Sequence, residues 1–271
     1  GQVLVAAPSI RFFDGRGANR PWLCEIPDPL TKVAWQTPLL AHPETLASQG
    51  IRHADVVQLR SAHGSLEAPV YETVAVRPGV LAMAIGQGHS AYGRYAQGEG
   101  VDPLGLLPPE TDALSGGPAF VAGDVMLAPT GRRMTLAHTD GSRIQHGRKI
   151  ALTTPLQRAA DRGGHPPKAG LTMWDFPLTL PLPEGYDPKR DVYPPHDHAG
   201  YRWSMVVDLD RCIGCGACAA ACYAENSIGV VGAQRIVEGR EMAWLRVERY
   251  LDPEDERKVI FLPLMCQHCD N

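Results

Sequence analysis

Four cysteines within eleven residues constrain this chain more than anything else in it: Cys212-Ile213-Gly214-Cys215-Gly216-Ala217-Cys218-Ala219-Ala220-Ala221-Cys222. The spacing is C-x2-C-x2-C-x3-C, the ligand run of a bacterial-type iron–sulfur site. The thiolates must turn inward, so the residues between them must be small, and Gly214, Gly216 and Ala217 are. Small residues also let backbone N–H groups point at the sulfurs, which tunes the potential of such a site. Cys218 and Cys222 are one helical turn apart, so a helix should begin near Ala219-Ala220-Ala221.

A second pair, Cys266 and Cys269, stands just before residue 271. In two-cluster ferredoxins the first three cysteines serve one cluster and the fourth serves the other. The fourth ligand for the Cys212–Cys215–Cys218 cluster is therefore expected from a remote cysteine, beyond residue 271. Structural zinc is the competing chemistry, but zinc sites usually pair two C-x2-C knuckles. This run is hard to place around one tetrahedral ion. Cys24 stands apart from the other six cysteines and reads as a small buried side chain.

Composition narrows the remainder. A formal net charge of −4 gives no reason to expect nucleic acid or an anionic membrane surface. No apolar run approaches the ~20 residues that span a bilayer. Gly (28) and Pro (24) favour short strands and long ordered connections over helix bundles. Gly1-Gln2-Val3 has no charged leader region, twin arginine or initiator Met, and the last cysteine pair is half a motif. The chain reads as a middle segment of a longer polypeptide.

Residues 1–125 read as short strands between turns. Pro38-Leu39-Leu40-Ala41 ends a strand and Pro43-Glu44-Thr45-Leu46-Ala47 starts a short helix, with Pro43 at its first position and Gly50 closing it. Asp55-Val56-Val57-Gln58-Leu59-Arg60-Ser61 alternates as a strand, His63-Gly64 turns, and residues 65–71 return. Arg77-Pro78-Gly79 turns again into the strand Val80-Leu81-Ala82-Met83-Ala84-Ile85.

Over roughly residues 20–125 this series resembles the molybdopterin-dinucleotide-binding domain of the molybdopterin oxidoreductase family, a six-stranded double-psi β-barrel. The resemblance carries a cofactor-facing loop onto residues 86–95, and so a cofactor-binding set of Gly86, Gly88, His89 and Arg94. Glycines let N–H groups approach an anion, and Arg94 could pair with a phosphate. The same loop can equally be a barrel closure whose glycines only supply positive φ, with His89 as a structural hydrogen-bonder. No catalytic residue can be named, and His63, His138, His146, His165 and His268 read as structural or exposed.

Residues 126–200 read as an extended connector. Trp174-Asp175-Phe176-Pro177-Leu178-Thr179-Leu180-Pro181 is apolar but proline-broken and should run along a surface. His196 and His198 sit in a rigid turn, without a third ligand in view. Residues 201–271 read as the start of a ferredoxin-type domain: a strand over 201–210, the cysteine run, and a hairpin from strands 243–250 and 258–264 that delivers Cys266 and Cys269. This arrangement resembles the four-cluster ferredoxin subunits of dimethyl sulfoxide and polysulfide reductases, with Cys212, Cys215, Cys218, Cys222, Cys266 and Cys269 as metal ligands. Tyr223 stands where simple ferredoxins have proline.

The expected architecture is thus mainly β with an α+β part: a barrel, an extended linker, and a truncated iron–sulfur domain. A barrel fused to such a domain is similar to the large iron–sulfur subunit of alternative complex III. That resemblance implies [4Fe–4S] clusters, with a [3Fe–4S] cluster as a further option in the full-length protein, and no molybdopterin. It implies an NrfD-like quinol-binding membrane subunit and c-type cytochromes as partners, no membrane span in this chain, and a place on the periplasmic face of the membrane. A catalytically active molybdenum or tungsten oxidoreductase is the alternative.

Overall fold

The computed structural model describes residues 1–148, 150–151, 187, 205–252, 255 and 257–266. Within them lie eight strands: β1 (Gln2–Pro8), β2 (Leu39–Ala41), β3 (Asp55–Arg60), β4 (Ser65–Glu72), β5 (Val80–Ile85), β6 (Val121–Arg133), β7 (Arg246–Leu251) and β8 (Val259–Leu264). The helices are α1 (Pro21–Glu25), α2 (Pro43–Ala47), α3 (Ala217–Glu225) and α4 (Ala233–Val237), with a 3-10 turn at Pro103–Leu106.

Strands β1 to β6 close a barrel in the order β1-β5-β2-β4-β3-β6. Two of its pairings, β1 with β5 and β2 with β4, are parallel, so the chain must cross over between them rather than turn back. The alternation in β3 and β5 explains the core: Val57 and Leu59, and Leu81, Met83 and Ile85, point inward with Leu4, Leu39, Val70 and Val125. Leu46 of α2 and Leu106 of the 3-10 turn cap that core. The six-stranded barrel expected from the sequence is the observed one.

Three expectations need correction. The barrel does not end near residue 125. Strand β6 pairs with β1 through Val121, Ala122 and Val125, then bends to pair with β3 as far as Arg133. Its second half carries Pro129 and Gly131 and buries little, which is why it reads as connector. Helix α1 interrupts a stretch that reads only as short strands between turns; Pro21 starts it and Cys24 and Glu25 are its buried positions. Third, residues 205–208 are not a strand. They are exposed, Val206 to 91%, and no strand among the described residues pairs with them. An alternating pattern without a partner has no face to bury. The remainder of that expected strand (201–204), the 174–183 stretch, His165, His196, His198, His268 and Cys269 lie outside the described residues.

The cysteine-bearing segment packs directly on the barrel domain. Ala219, Tyr223 and Ile228 form one buried cluster with Ile26, which follows α1, and Ile236 joins another with Phe12, Cys24, Trp35 and Ala137. Strands β7 and β8 form the expected antiparallel hairpin. Among the described residues no helix is long and apolar enough to cross a membrane.

Candidate functional site

The cysteine loop is shaped by two glycines. Gly214 (φ +67) and Gly216 (φ +74) take left-handed backbone between the ligand positions, and Gly216 is the residue before α3. Each also lies against a neighbour. A Cβ on Gly214 would sit 2.5 Å from the Phe261 ring of β8, and one on Gly216 would sit 2.7 Å from Ile26 Cγ2. The loop is therefore clamped between the hairpin on one side and the barrel domain on the other, with no room for a larger residue at either contact.

Cys215 and Cys218 are exposed, while Cys212, Cys222 and Cys266 are half-buried. Cys218 and Cys222 lie one turn apart on α3, as expected. Asn226 Nδ2 donates to the Cys222 carbonyl (3.0 Å) and approaches its Sγ (3.6 Å), an N–H donor of the kind that stabilises a thiolate. Among the described residues no three His, Cys, Asp or Glu side chains converge as a cage for a single ion. The donor set is nonetheless the one an iron–sulfur cubane takes: thiols only, small residues between them, and a loop that turns by left-handed glycines.

Polar groups that the sequence reading missed hold the segment in place. The Glu25 side chain, 2% exposed, accepts hydrogen bonds at Oε1 from Trp35 Nε1 (2.9 Å), Val231 N (3.0 Å) and Gly232 N (2.6 Å). Burial pushes its carboxyl above the usual carboxylate range, against the pull of those three donors. Lys32, 4% exposed, donates from Nζ to the Val247 carbonyl (2.6 Å), and burial pushes its ammonium down. Arg249, 1% exposed, pairs with Asp140 at 2.7 Å. Trp22 Nε1 donates to the Ile228 carbonyl (3.0 Å). A signal for Arg249 was available, because it alternates with buried Val247 on β7. Glu25 and Lys32 had none, since a lone charge beside an apolar run reads as surface.

The loop over residues 86–95 packs closely against its own chain. Gly86 and Gly88 do take positive φ, and their empty Cβ positions face this chain's own atoms: Phe12 Cβ at 2.8 Å for Gly86 and the Asp102 backbone nitrogen for Gly88. Internal packing thus requires both positions to be glycine. Arg94 is exposed, lies over the Tyr95 ring at 4.5 Å and bonds to its hydroxyl. His89 is not the structural hydrogen-bonder expected. Its ring sits 5.0 Å from Tyr92, and its buried Nε2 has no hydrogen-bond partner. That orphaned nitrogen is the feature of this loop that still fits a polar ligand.

Cys24 is fully buried, with Sγ donating towards the Ala18 carbonyl (3.5 Å), and burial pushes its thiol to about 12. It is the small buried side chain expected. Between loop and barrel, Cys212, Ile213 and Phe261 wall an apolar cleft of about 540 Å³ together with Phe12, Leu40 and Met83.

Two family descriptions match: "Molydopterin dinucleotide binding domain" over residues 29–123 and "4Fe-4S binding domain" over residues 203–224. The chain therefore combines a molybdopterin-dinucleotide-binding domain with a 4Fe–4S domain. The molybdopterin-containing subunit of the arsenate respiratory reductase from Shewanella sp. is 37% identical over 125 residues, 44% of this chain and 15% of that protein. The iron–sulfur cluster-binding subunit of menaquinone reductase from Nitratidesulfovibrio vulgaris is 39% identical over 72 residues, 25% of this chain. A tetrathionate reductase subunit from Archaeoglobus fulgidus is 42% identical over 72 residues, 27% of this chain. The chain spans little over a quarter of those last two relatives, 27% and 28% of their lengths.

Proposed function

We propose that this chain moves single electrons within a membrane-associated, quinol-oxidising respiratory complex, with the barrel as the body on which the cluster segment is seated. The observation that carries this is the clamp on the cysteine loop: Phe261 against Gly214 and Ile26 against Gly216. A loop that only bridged two elements would need no such fixed seat. Electron transfer needs one, because its rate depends on a constant distance and surrounding.

Cys212, Cys215 and Cys218 would hold one [4Fe–4S] cluster, and Cys222, Cys266 and Cys269 would serve a neighbouring one. When bound, such a group supplies a one-electron site. The chain's own residues seat the loop, donate to Cys222 Sγ through Asn226, and place low-dielectric packing on one side of it. The order of barrel then cluster domain supports a subunit of the alternative complex III kind. In that reading a quinol-binding NrfD-like membrane protein and c-type cytochromes are the partners, on the periplasmic face, and the barrel works without a pterin.

A second reading has its own observation. The match over residues 29–123, with the unpartnered His89 Nε2, favours a barrel that binds a molybdenum or tungsten pterin dinucleotide in an active reductase. Metal analysis of the intact complex separates the two. Iron without molybdenum or tungsten is the expected result. Molybdenum or tungsten near one per protein would overturn the first reading in favour of the second.

A further inference from the structure

Beneath the cysteine loop lies a small, partly open cavity of about 40 Å³, lined by Gly214 and Gly216 of the loop, by Glu25, Ile26 and Lys32 of the barrel domain, and by Tyr223 and Glu241. Two carboxylate oxygens there are fully buried and have no hydrogen-bond partner among the described residues: Glu25 Oε2 and Glu241 Oε2. A buried carboxylate oxygen left bare costs on the order of the full desolvation of that atom unless it carries a proton or meets water. The space exceeds the ~10–15 Å³ a water needs, so the cavity has room for water beside both oxygens.

The charges around Glu25 can be taken element by element. Its own helix contributes Cys24, already neutral, and Glu25 itself. The barrel domain contributes Lys32, whose ammonium is committed to the Val247 carbonyl. The cysteine segment contributes Tyr223, whose hydroxyl is pushed up by burial and stays neutral, and Glu241, a like charge. From β7 come Arg246 and Glu248, paired with each other at 2.6 Å. The turn after β1 contributes Arg11, which donates from Nη1 to the Ile26 carbonyl (2.8 Å) while its Nε stays unpartnered among the described residues. Among the described residues Glu25 itself makes no ion pair, and the charge that acts on it is the like charge of Glu241. An added negative charge on the adjoining loop would favour its protonated form further.

We propose that Glu25 takes up a proton from solvent, through the cavity, when the cluster carried by Cys212, Cys215 and Cys218 takes up an electron. The balance is one electron from a one-electron carrier onto the cluster and one proton onto Glu25 Oε2, so no net charge is added beneath the loop; oxidation returns both. This rests on the cluster assignment above and deepens it: the buried carboxyl makes that cluster's reduction pH-dependent, and the Glu25 contacts to Val231 and Gly232 sit at the same joint.

The test is a redox titration of the intact complex across pH, followed by the electron paramagnetic resonance of the reduced cluster, in wild type and Glu25→Gln. The expected wild-type potential falls as pH rises, towards one proton per electron, ~59 mV for each tenfold change in proton concentration. In E25Q that dependence is absent and the potential is higher. In Glu241→Gln the dependence persists but moves to lower pH, because a like charge has gone. A pH-independent wild type, or a dependence that survives in E25Q, overturns the proposal. Loss of the paramagnetic signal from wild type overturns the cluster assignment, and this proposal with it. If E25Q does not fold, the infrared difference between reduced and oxidised wild type decides. A protonated-carboxyl carbonyl band gained on reduction supports the proposal, and its absence overturns it.

Discussion

His53, Tyr71 and His138 meet where the barrel joins the cysteine segment, with ring centroids 5.4 to 5.9 Å apart. His53 Nδ1 accepts the Glu72 N–H (3.3 Å), so its proton sits on Nε2. Burial pushes this imidazole down to about 4, and Arg143, His138 and Arg133 push the same way. The folded state thus holds His53 neutral at pH values where the unfolded chain binds a proton. Stability should be full above the ordinary value of 6.5 and fall as pH drops from 6.5 towards 4. With the ring half open to solvent, about 1–2 kcal/mol rides on it. Urea unfolding at pH 7 and pH 4.5 should show the loss in wild type and a reduced loss in His53→Gln; equal slopes would show that His53 does not titrate with folding. Nothing in the sequence marked this cluster, since His53 and His138 are 85 positions apart and come together only when the barrel closes. Arg249 was half legible. Its place in the alternation of β7 says inward, but an arginine pointing inward is believable only once Asp140 is found opposite it, at 2.7 Å.

At the scale of elements, strands that alternate against a real core were readable. β3, β4 and β5 fall where the pattern puts them, and the hairpin β7–β8 does too. What escaped has a physical cause each time. α1 is five residues long, too short to show a helical period. The far half of β6 is exposed on a barrel wall and gives no periodic signal. Residues 205–208 give the signal without the partner. The glycines of the cysteine run were read for cluster geometry alone, and the structure adds a second demand, contact with β8 and with Ile26. Gly214→Ala tests it. Left-handed backbone costs a non-glycine residue about 1–2 kcal/mol, and the methyl must also displace the Phe261 ring, so about 2–3 kcal/mol of destabilisation is expected. Phe261→Leu should recover part of this in the double variant, a non-additivity that contact requires. Strict additivity in unfolding experiments would place Phe261 away from the loop.

For the whole molecule the ligand count governs what the chain can do by itself. Two [4Fe–4S] cubanes need about eight thiolates. Residues 1–271 offer Cys212, Cys215, Cys218, Cys222, Cys266 and Cys269, with Cys24 sealed inside the barrel domain. The ferredoxin division of ligands gives the first three to one cluster and Cys222 to the other, so neither set closes from the helix-and-loop run alone. Cys215 and Cys218 are exposed, so a ligand from outside the run can reach a cluster held there. Anaerobic reconstitution of residues 1–271 with iron and sulfide should therefore give substoichiometric, oxygen-labile iron, while the folded barrel persists. Cys215→Ser should lower even that remnant, and Cys24→Ser should leave it unchanged. A stable four-iron cluster on the isolated chain, lost equally on replacing Cys212, Cys215, Cys218 or Cys222, would show instead that the run is a complete site. The barrel would then be seated on a self-contained electron carrier rather than on one edge of a longer chain of clusters.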